Sequence, residues 1–217
     1  MSYGIEYITA IMLCIFAASC GTTSAAKKAH PIAHRATGPK MAPLTDRDKE
    51  RLLAIAKNAV GQSRLKVGKK SFRNDCSGTI RALFTKARIG LGGIVKRDND
   101  NDVKAIYRYV QKYGLLLKDK PAAGDLVFFH NTYDRSRNGH MNDALTHVGL
   151  VEKVDGTNVC FIHHLGASII RSRMDLTRPH ITHDPATNFR INHILRRAQG
   201  EKPAFTAAEL FASFGRL

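Results

Sequence analysis

Two kinds of side chain in this sequence are suited to covalent chemistry, and their settings differ. Asp75-Cys76-Ser77-Gly78 opens a run in which Ile80, Leu83, Phe84 and Ala87 share one helical face, so Cys76 stands at the N-terminal end of a predicted helix. The partial positive charge and free N–H groups there favour a thiolate, the form in which a cysteine is a nucleophile. A cysteine on an apolar helical face is also a common buried structural residue, so a partner base is needed to choose between the two roles. His147, in Thr146-His147-Val148-Gly149-Leu150-Val151, begins a β-type run, a rigid support for a general base. The next run carries Phe161-Ile162-His163-His164. Neighbouring strand side chains alternate faces, so only one of the two histidines can orient the imidazole of His147.

A third set of polar groups precedes His147. Asp134, Ser136 and Asn138 fall at loop positions 1, 3 and 5, Gly139 follows at position 6, and Asp143 lies further on. That spacing can wrap a loop around Ca²⁺, although Leu145 stands where a bidentate glutamate is expected. The competing reading is a polar loop closed by Asx-type turns. A bound ion there would be structural, since nothing in the cysteine chemistry requires a cofactor.

The elements that must position these groups are legible from periodicity. Thr45 caps a helix carrying Leu52, Ile55, Ala56, Ala59 and Val60, and Gly61 stops it. The turn-forming run Asp98-Asn99-Asp100-Asn101 precedes a third helix with Val103, Ile106, Tyr107, Val110 and Tyr113 on one face, closed by Gly114. Beyond residue 120 the pattern becomes strand-like at Leu126 to Phe129, His147 to Val154, Val159 to Leu165 and Ile191 to Leu195, with Asp155-Gly156 as a hairpin signal. Thr206 to Phe214 reads as a closing helix, with a Thr cap and Ala207, Leu210, Phe211 and Phe214 at helical spacing. Helices first and strands afterwards predict an α+β fold, with N-terminal helices packed on an antiparallel sheet.

The chain has 217 residues, enough for one compact domain with appendages, and 43% hydrophobic content excludes global disorder. Its +16 charge, from 34 Lys and Arg against 18 Asp and Glu, points to an anionic partner. No zinc finger, RNA-recognition signature or P-loop accompanies the charge, so specific nucleic-acid binding is not expected. Residues 1–20 combine an apolar run with Ala17-Ala18-Ser19-Cys20, the pattern of a secretory signal with a lipoprotein cleavage site, although Glu6 and the lack of Lys or Arg depart from it. Cys20 would then carry lipid, residues 21–44 would form a flexible linker, and Cys76 and Cys160 would remain in the domain. Cys160, within Val159-Cys160-Phe161-Ile162, reads as a small buried hydrophobe.

Four blocks taken together resemble the NlpC/P60 family of papain-like cysteine peptidases, within the wider group that includes CHAP amidases. They are Asp75-Cys76-Ser77-Gly78, Pro121 to Phe129 (PAAGDLVFF), His147 to Val151 (HVGLV) and Phe161-Ile162-His163, in the family's order and spanning most of residues 45–195. The resemblance implies a papain-like catalytic domain over residues 45–217, with Cys76 as nucleophile, His147 as base and His163 as the residue orienting it. It further implies an exported, lipid-anchored peptidase or amidase of the cell envelope, acting on peptidoglycan stem peptides. The anionic envelope polymer and, through the lipid, the membrane would be its partners. Two departures stand out. The segment Arg64 to Lys70 replaces the family's Pro-Tyr and Gly-Gly-rich stretch, so the tyrosine that often lines the site is missing there, and an extra helix and insertion separate Cys76 from His147. Two other readings stay open: an acyltransferase, deamidase or secreted toxin on the same fold, and a non-catalytic envelope- or polyanion-binding protein.

Overall fold

Thr45 does at the start of the fold what its side chain predicts. Its Oγ accepts the Asp48 N–H at 3.1 Å and donates to the Asp48 carboxylate at 2.7 Å, which caps α1, Asp46–Ala59. The computed structural model describes residues 42–98 and 100–217. The expected signal segment, Cys20 and residues 21–41 of the expected linker lie outside the described residues. Leu44 belongs to the domain rather than to a tether: it is buried, and its N–H bonds the carbonyl of Leu217 at the far end of the chain.

Two further helices follow, α2 (Cys76–Lys86) and α3 (Asp102–Tyr113). Asn101 caps α3 by accepting the Lys104 N–H at 2.7 Å, and its amide donates to the Leu145 carbonyl at 2.9 Å. One asparagine therefore fixes the start of a helix and the segment two residues before His147. The strands are β1 (Leu115–Leu117), β2 (Leu126–Phe129), β3 (His147–Asp155), β4 (Asn158–Leu165), β5 (Ser168–Asp175), β6 (Ile194–Arg196), β7 (Phe205–Thr206) and β8 (Phe211–Arg216). Six of them form one sheet, in the order β1-β8-β2-β3-β4-β5, with every neighbouring pair antiparallel. β6 and β7 pair separately.

The helices cover one face of this sheet. Leu52, Ala56, Ile80, Leu83, Phe84, Ile106 and Val110 pack there with Phe128, Val148, Leu150 and Ile162. On the other face Phe129, Val151, Phe161, Met174 and Phe214 meet Leu195, Ala207, Ala208 and Leu210 of the returning chain. Burial on both faces explains why the first six residues of β3 are buried without alternation. Five phenylalanines, at 84, 128, 129, 161 and 214, are fully buried, each worth about 1.5–3 kcal/mol of transfer free energy.

The expected C-terminal helix is corrected. Thr206 and Glu209 do form a reciprocal capping box: the Glu209 N–H donates to Thr206 Oγ, and the Thr206 N–H to the Glu209 carboxylate. The box closes a single turn, and the chain then enters β8. β8 lies between β1 and β2, so its backbone is hydrogen-bonded on both edges and its side chains are buried on both faces. A continuous apolar segment of this length suits either period, and the sheet decided it. Gly215 belongs to that fit, because a Cβ there would lie 2.8 Å from the Phe128 ring and 2.9 Å from Val110.

Candidate active site

The first turn of α2 is fixed by its cap. Asp75 accepts the Gly78 N–H at 2.8 Å and the Ser77 hydroxyl at 2.7 Å, and Arg73 Nε donates to its other oxygen at 2.7 Å. A Cβ on Gly78 would overlap the Arg73 carbonyl oxygen, so the chain entering the helix presses on it where only glycine fits. Cys76, the first helical residue, is half-buried and free, as is buried Cys160. Cys160 Sγ lies 3.6 Å from the Glu152 carboxylate, which is paired with Arg171.

Burial pushes the Cys76 thiol up to about 11, and the negative charge of Asp75 adds to this. The main-chain N–H groups of Val148, Ser77 and Cys76 itself work in the opposite direction without reversing it. The helix N-terminus therefore does not by itself make a resting thiolate. Burial first and neighbouring His164 second lower His147 to about 4, with Asp75 acting in the opposite direction. Both shifts favour the neutral forms near pH 7, a thiol and an imidazole lining one cavity rather than an ion pair.

His147 Nε2 lies 2.7 Å from His163 Nδ1, with the rings edge-on at 89° and centroids 4.9 Å apart. His163 Nε2 in turn lies 2.9 Å from Ser172 Oγ on β5. Burial, then the nearby His147, His193 and His164, hold His163 well below the usual histidine range, so it is neutral too. If His147 is to accept a proton on Nδ1, it must carry one on Nε2. His163 then accepts at Nδ1, carries its own proton on Nε2 and donates to Ser172. With that proton on Nε2 the bonds run in one direction, from His147 to His163 to Ser172.

Cys76, His147 and His164 line one cavity of about 570 Å³, with Arg73, Asp102 and Tyr133 around them. His163 is the histidine that contacts His147, as its place after Phe161-Ile162 implies. His164 also lines the cavity but takes a different partner: it is buried, and its Nε2 donates to the Ser63 carbonyl at 3.0 Å. Three contributors escaped the sequence reading. Tyr133, half exposed, lines the cavity just ahead of the insertion, its phenol raised first by burial and then by nearby Cys76. Ser172 lies on a strand that the sequence reading left unassigned. The signal for it was Gly166, which has a φ of 63° and turns Leu165 back onto Ser168 as Gly156 turns the preceding hairpin. The Val148 N–H carries no sequence signal.

The insertion before His147 is held by its own hydrogen bonds. Asp134 accepts the N–H groups of Gly139 at 2.8 Å and Asn138 at 3.2 Å, and these bonds hold its carboxyl below the usual range. Asp143 accepts those of Arg135 and Ser136, at 2.9 and 3.1 Å. Asn138 Oδ1 accepts the His140 N–H, so Asp134, Ser136, Asn138 and Asp143 make an Asx-turn loop. Among the described residues no group of three or more His, Cys, Asp or Glu is placed to hold a metal ion. From outside, buried Arg196 donates to the Asn131 carbonyl and the Met141 sulfur, and Lys202 to the Gly139 carbonyl.

Three helices on an antiparallel sheet, with a cysteine at a helix start and a histidine pair on adjacent strands, define a papain-like α+β protein. The NlpC/P60 family model matches residues 63–183, more than half of the sequence, and the chain belongs to that family, one of cell-wall peptidases and hydrolases. No curated protein matches the sequence. Among solved structures, an NLP/P60 family protein described as similar to a lipoprotein, from Staphylococcus aureus, is 25% identical, with a TM-score of 0.38. The match covers 66% of this chain and 40% of that one. NlpC2 from Trichomonas vaginalis is 20% identical at a TM-score of 0.39, covering 80% and 47%. Ly7917 is 15% identical at 0.38, covering 58% and 56%. This chain thus spans only about half of the solved chains it matches, and the family assignment rests on the family model.

Proposed function

We propose that the protein is an exported cysteine peptidase or amidase that cleaves amide bonds in peptidoglycan stem peptides. The observation that carries the reading is the His147–His163–Ser172 chain, which engages His147 through Nε2 and leaves Nδ1 as its nitrogen outside the chain, on a residue that lines the same cavity as Cys76. Because the resting thiol is neutral, proton transfer to His147 accompanies attack of sulfur on the carbonyl carbon. The C=O electrons become an oxyanion within reach of the N–H groups around Sγ. Collapse of that intermediate breaks the C–N bond, and His147 returns the proton to the leaving amine. Water, deprotonated by His147, then attacks the thioester, releasing the acid and restoring the thiol. A neutral histidine in the orienting position accepts the imidazolium's Nε2–H without adding negative charge. His163 therefore fixes orientation more than it stabilises charge.

Export and lipid attachment rest on residues 1–20 and agree with the lipoprotein-like description of the S. aureus protein. The test is mass spectrometry of muropeptides after digestion by wild type and Cys76→Ala. New amino termini should appear with wild type alone. Products that form only when an amine acceptor is added would instead support the acyl-transfer reading.

A further inference from the structure

The C-terminal end of α2 has an arginine where the backbone calls for glycine. The Ile89 N–H bonds the Phe84 carbonyl and the Arg88 N–H bonds that of Thr85, the pair of bonds that closes a helix through a left-handed residue. That residue is Arg88, at a φ of 56°. Glycine adopts this conformation without strain, and arginine does not. The guanidinium it carries stands at a cavity of about 400 Å³ lined also by Lys70 and Arg81, over a floor that includes Phe72, Ile89 and Leu91. No acidic residue lines it, and it shares no lining residue with the Cys76 cavity. Among the described residues none of the three cations has a carboxylate partner, and Arg81 Nε is buried with no hydrogen-bond partner at all. The N–H groups of Gly90 and Gly92, on the same wall, also lack partners among the described residues.

We propose that this cavity binds a phosphate group of a linear phosphate-bearing polymer. Three cations and two free N–H groups offer more donors than the two oxygens of a carboxylate can occupy. A tetrahedral phosphate presents enough oxygens for two guanidinium forks and an ammonium. A polymer is favoured over a single ion because exposed Arg64, Lys66 and Lys69 lead along the chain to Lys70 without ion-pair partners among the described residues. One extended chain of phosphates can meet several of these charges at once.

The site goes beyond the peptidase reading and does not depend on it, since binding needs no turnover. The test is titration of the full chain with polyphosphate at several salt concentrations, alongside Lys70→Gln, Arg81→Gln and Arg88→Gln. Each substitution should weaken binding and flatten the slope of log K against log salt by about one. Arg88→Gly should bind like Arg88→Gln while melting higher, which separates lost charge from lost fold. Lys70→Gln and Arg88→Gln alter exposed side chains and keep the test interpretable if Arg81→Gln fails to fold. Cys76→Ala should bind as wild type does. Equal weakening by Lys153→Gln, Arg190→Gln and Arg197→Gln would overturn the site in favour of diffuse charge. Equal affinity for polyglutamate would overturn its preference for phosphate.

Discussion

His147 and His163 share a buried 2.7 Å hydrogen bond between Nε2 and Nδ1, and that bond leaves Nδ1 as the His147 nitrogen not engaged by His163, on a residue that lines the same cavity as Cys76. Cys76→Ala should abolish hydrolysis, and His147→Ala should lower it by about 10² to 10⁴-fold, the usual range for loss of a general base. The double variant should be no worse than Cys76→Ala, because the two act as one unit. Turnover of a stem peptide measured alongside thermal melting checks this, and substantial activity in Cys76→Ala sinks the mechanism.

His163→Ala should lower kcat less than loss of His147, with KM little changed, because it orients the base without transferring the proton to substrate. Ser172→Ala should have a smaller effect in the same direction, and Ser172→Thr, which keeps the hydroxyl, should recover it. His164→Ala should act mainly on stability, costing about 0.5–1.5 kcal/mol for the lost bond to the Ser63 carbonyl. Chemical denaturation with parallel kinetics distinguishes the three. A kcat effect of His164→Ala larger than that of His163→Ala would reverse the assignment of the two faces of β4.

The pH dependence follows from a neutral resting pair. His147 loses its basic form only as pH falls through about 4, and the Cys76 thiol ionises only near 11, so kcat/KM should be broad and flat between these limits. Stability has the matching signs. The folded His147 value lies below the ordinary one near 6.5, so stability is present above 6.5 and is lost as pH falls towards 4. The folded Cys76 value lies above the ordinary 9.0, so stability is present below 9 and is lost as pH rises towards 11. Melting across pH tests the second pattern. Iodoacetamide alkylation of Cys76 tests the first, since rapid labelling at pH 5 would show an ion pair instead.

Calcium should leave the melting temperature unchanged into the millimolar range, because Asp134 and Asp143 already accept main-chain N–H groups. Asp134→Ala should lower the melting temperature equally with calcium and with chelator, by removing the acceptor of the Asn138 and Gly139 N–H groups. A calcium-dependent rise in wild type that Asp134→Ala erases would support the metal reading of this loop instead.

Gly78→Ala should be disproportionately damaging for a one-methyl change, since the added carbon meets the Arg73 carbonyl oxygen. Backbone must move at the turn that holds Cys76, so activity should fall along with stability. A variant that melts and turns over like wild type would show that the approach of Arg73 to the helix is dispensable.

The sequence by itself determined whatever depends on neighbours in the chain. Thr45, Asp75 and Asn101 cap the three helices through bonds to N–H groups three residues on, and Asp155-Gly156 turns the hairpin that brings β3 and β4 together. Cys76 and His147 were legible because a helix start and a strand start are local features, whereas the choice of His163 over His164 came from the family resemblance. Only the tertiary structure decided the rest. Thr206 to Phe214 satisfies a helical cap and spacing, yet β1 and β2, remote in sequence, offer its backbone two edges and its side chains two apolar faces. Ser172 reaches His163 only through the β4–β5 register, and Tyr133 joins the cavity from a segment whose Asn131, Gly139 and Met141 are bonded by Arg196 and Lys202, far along the chain. The charge state of the site was set in the same way. A helix N-terminus favours thiolate, but the surrounding fold removes water from Cys76 and His147, and that desolvation outweighs the helix.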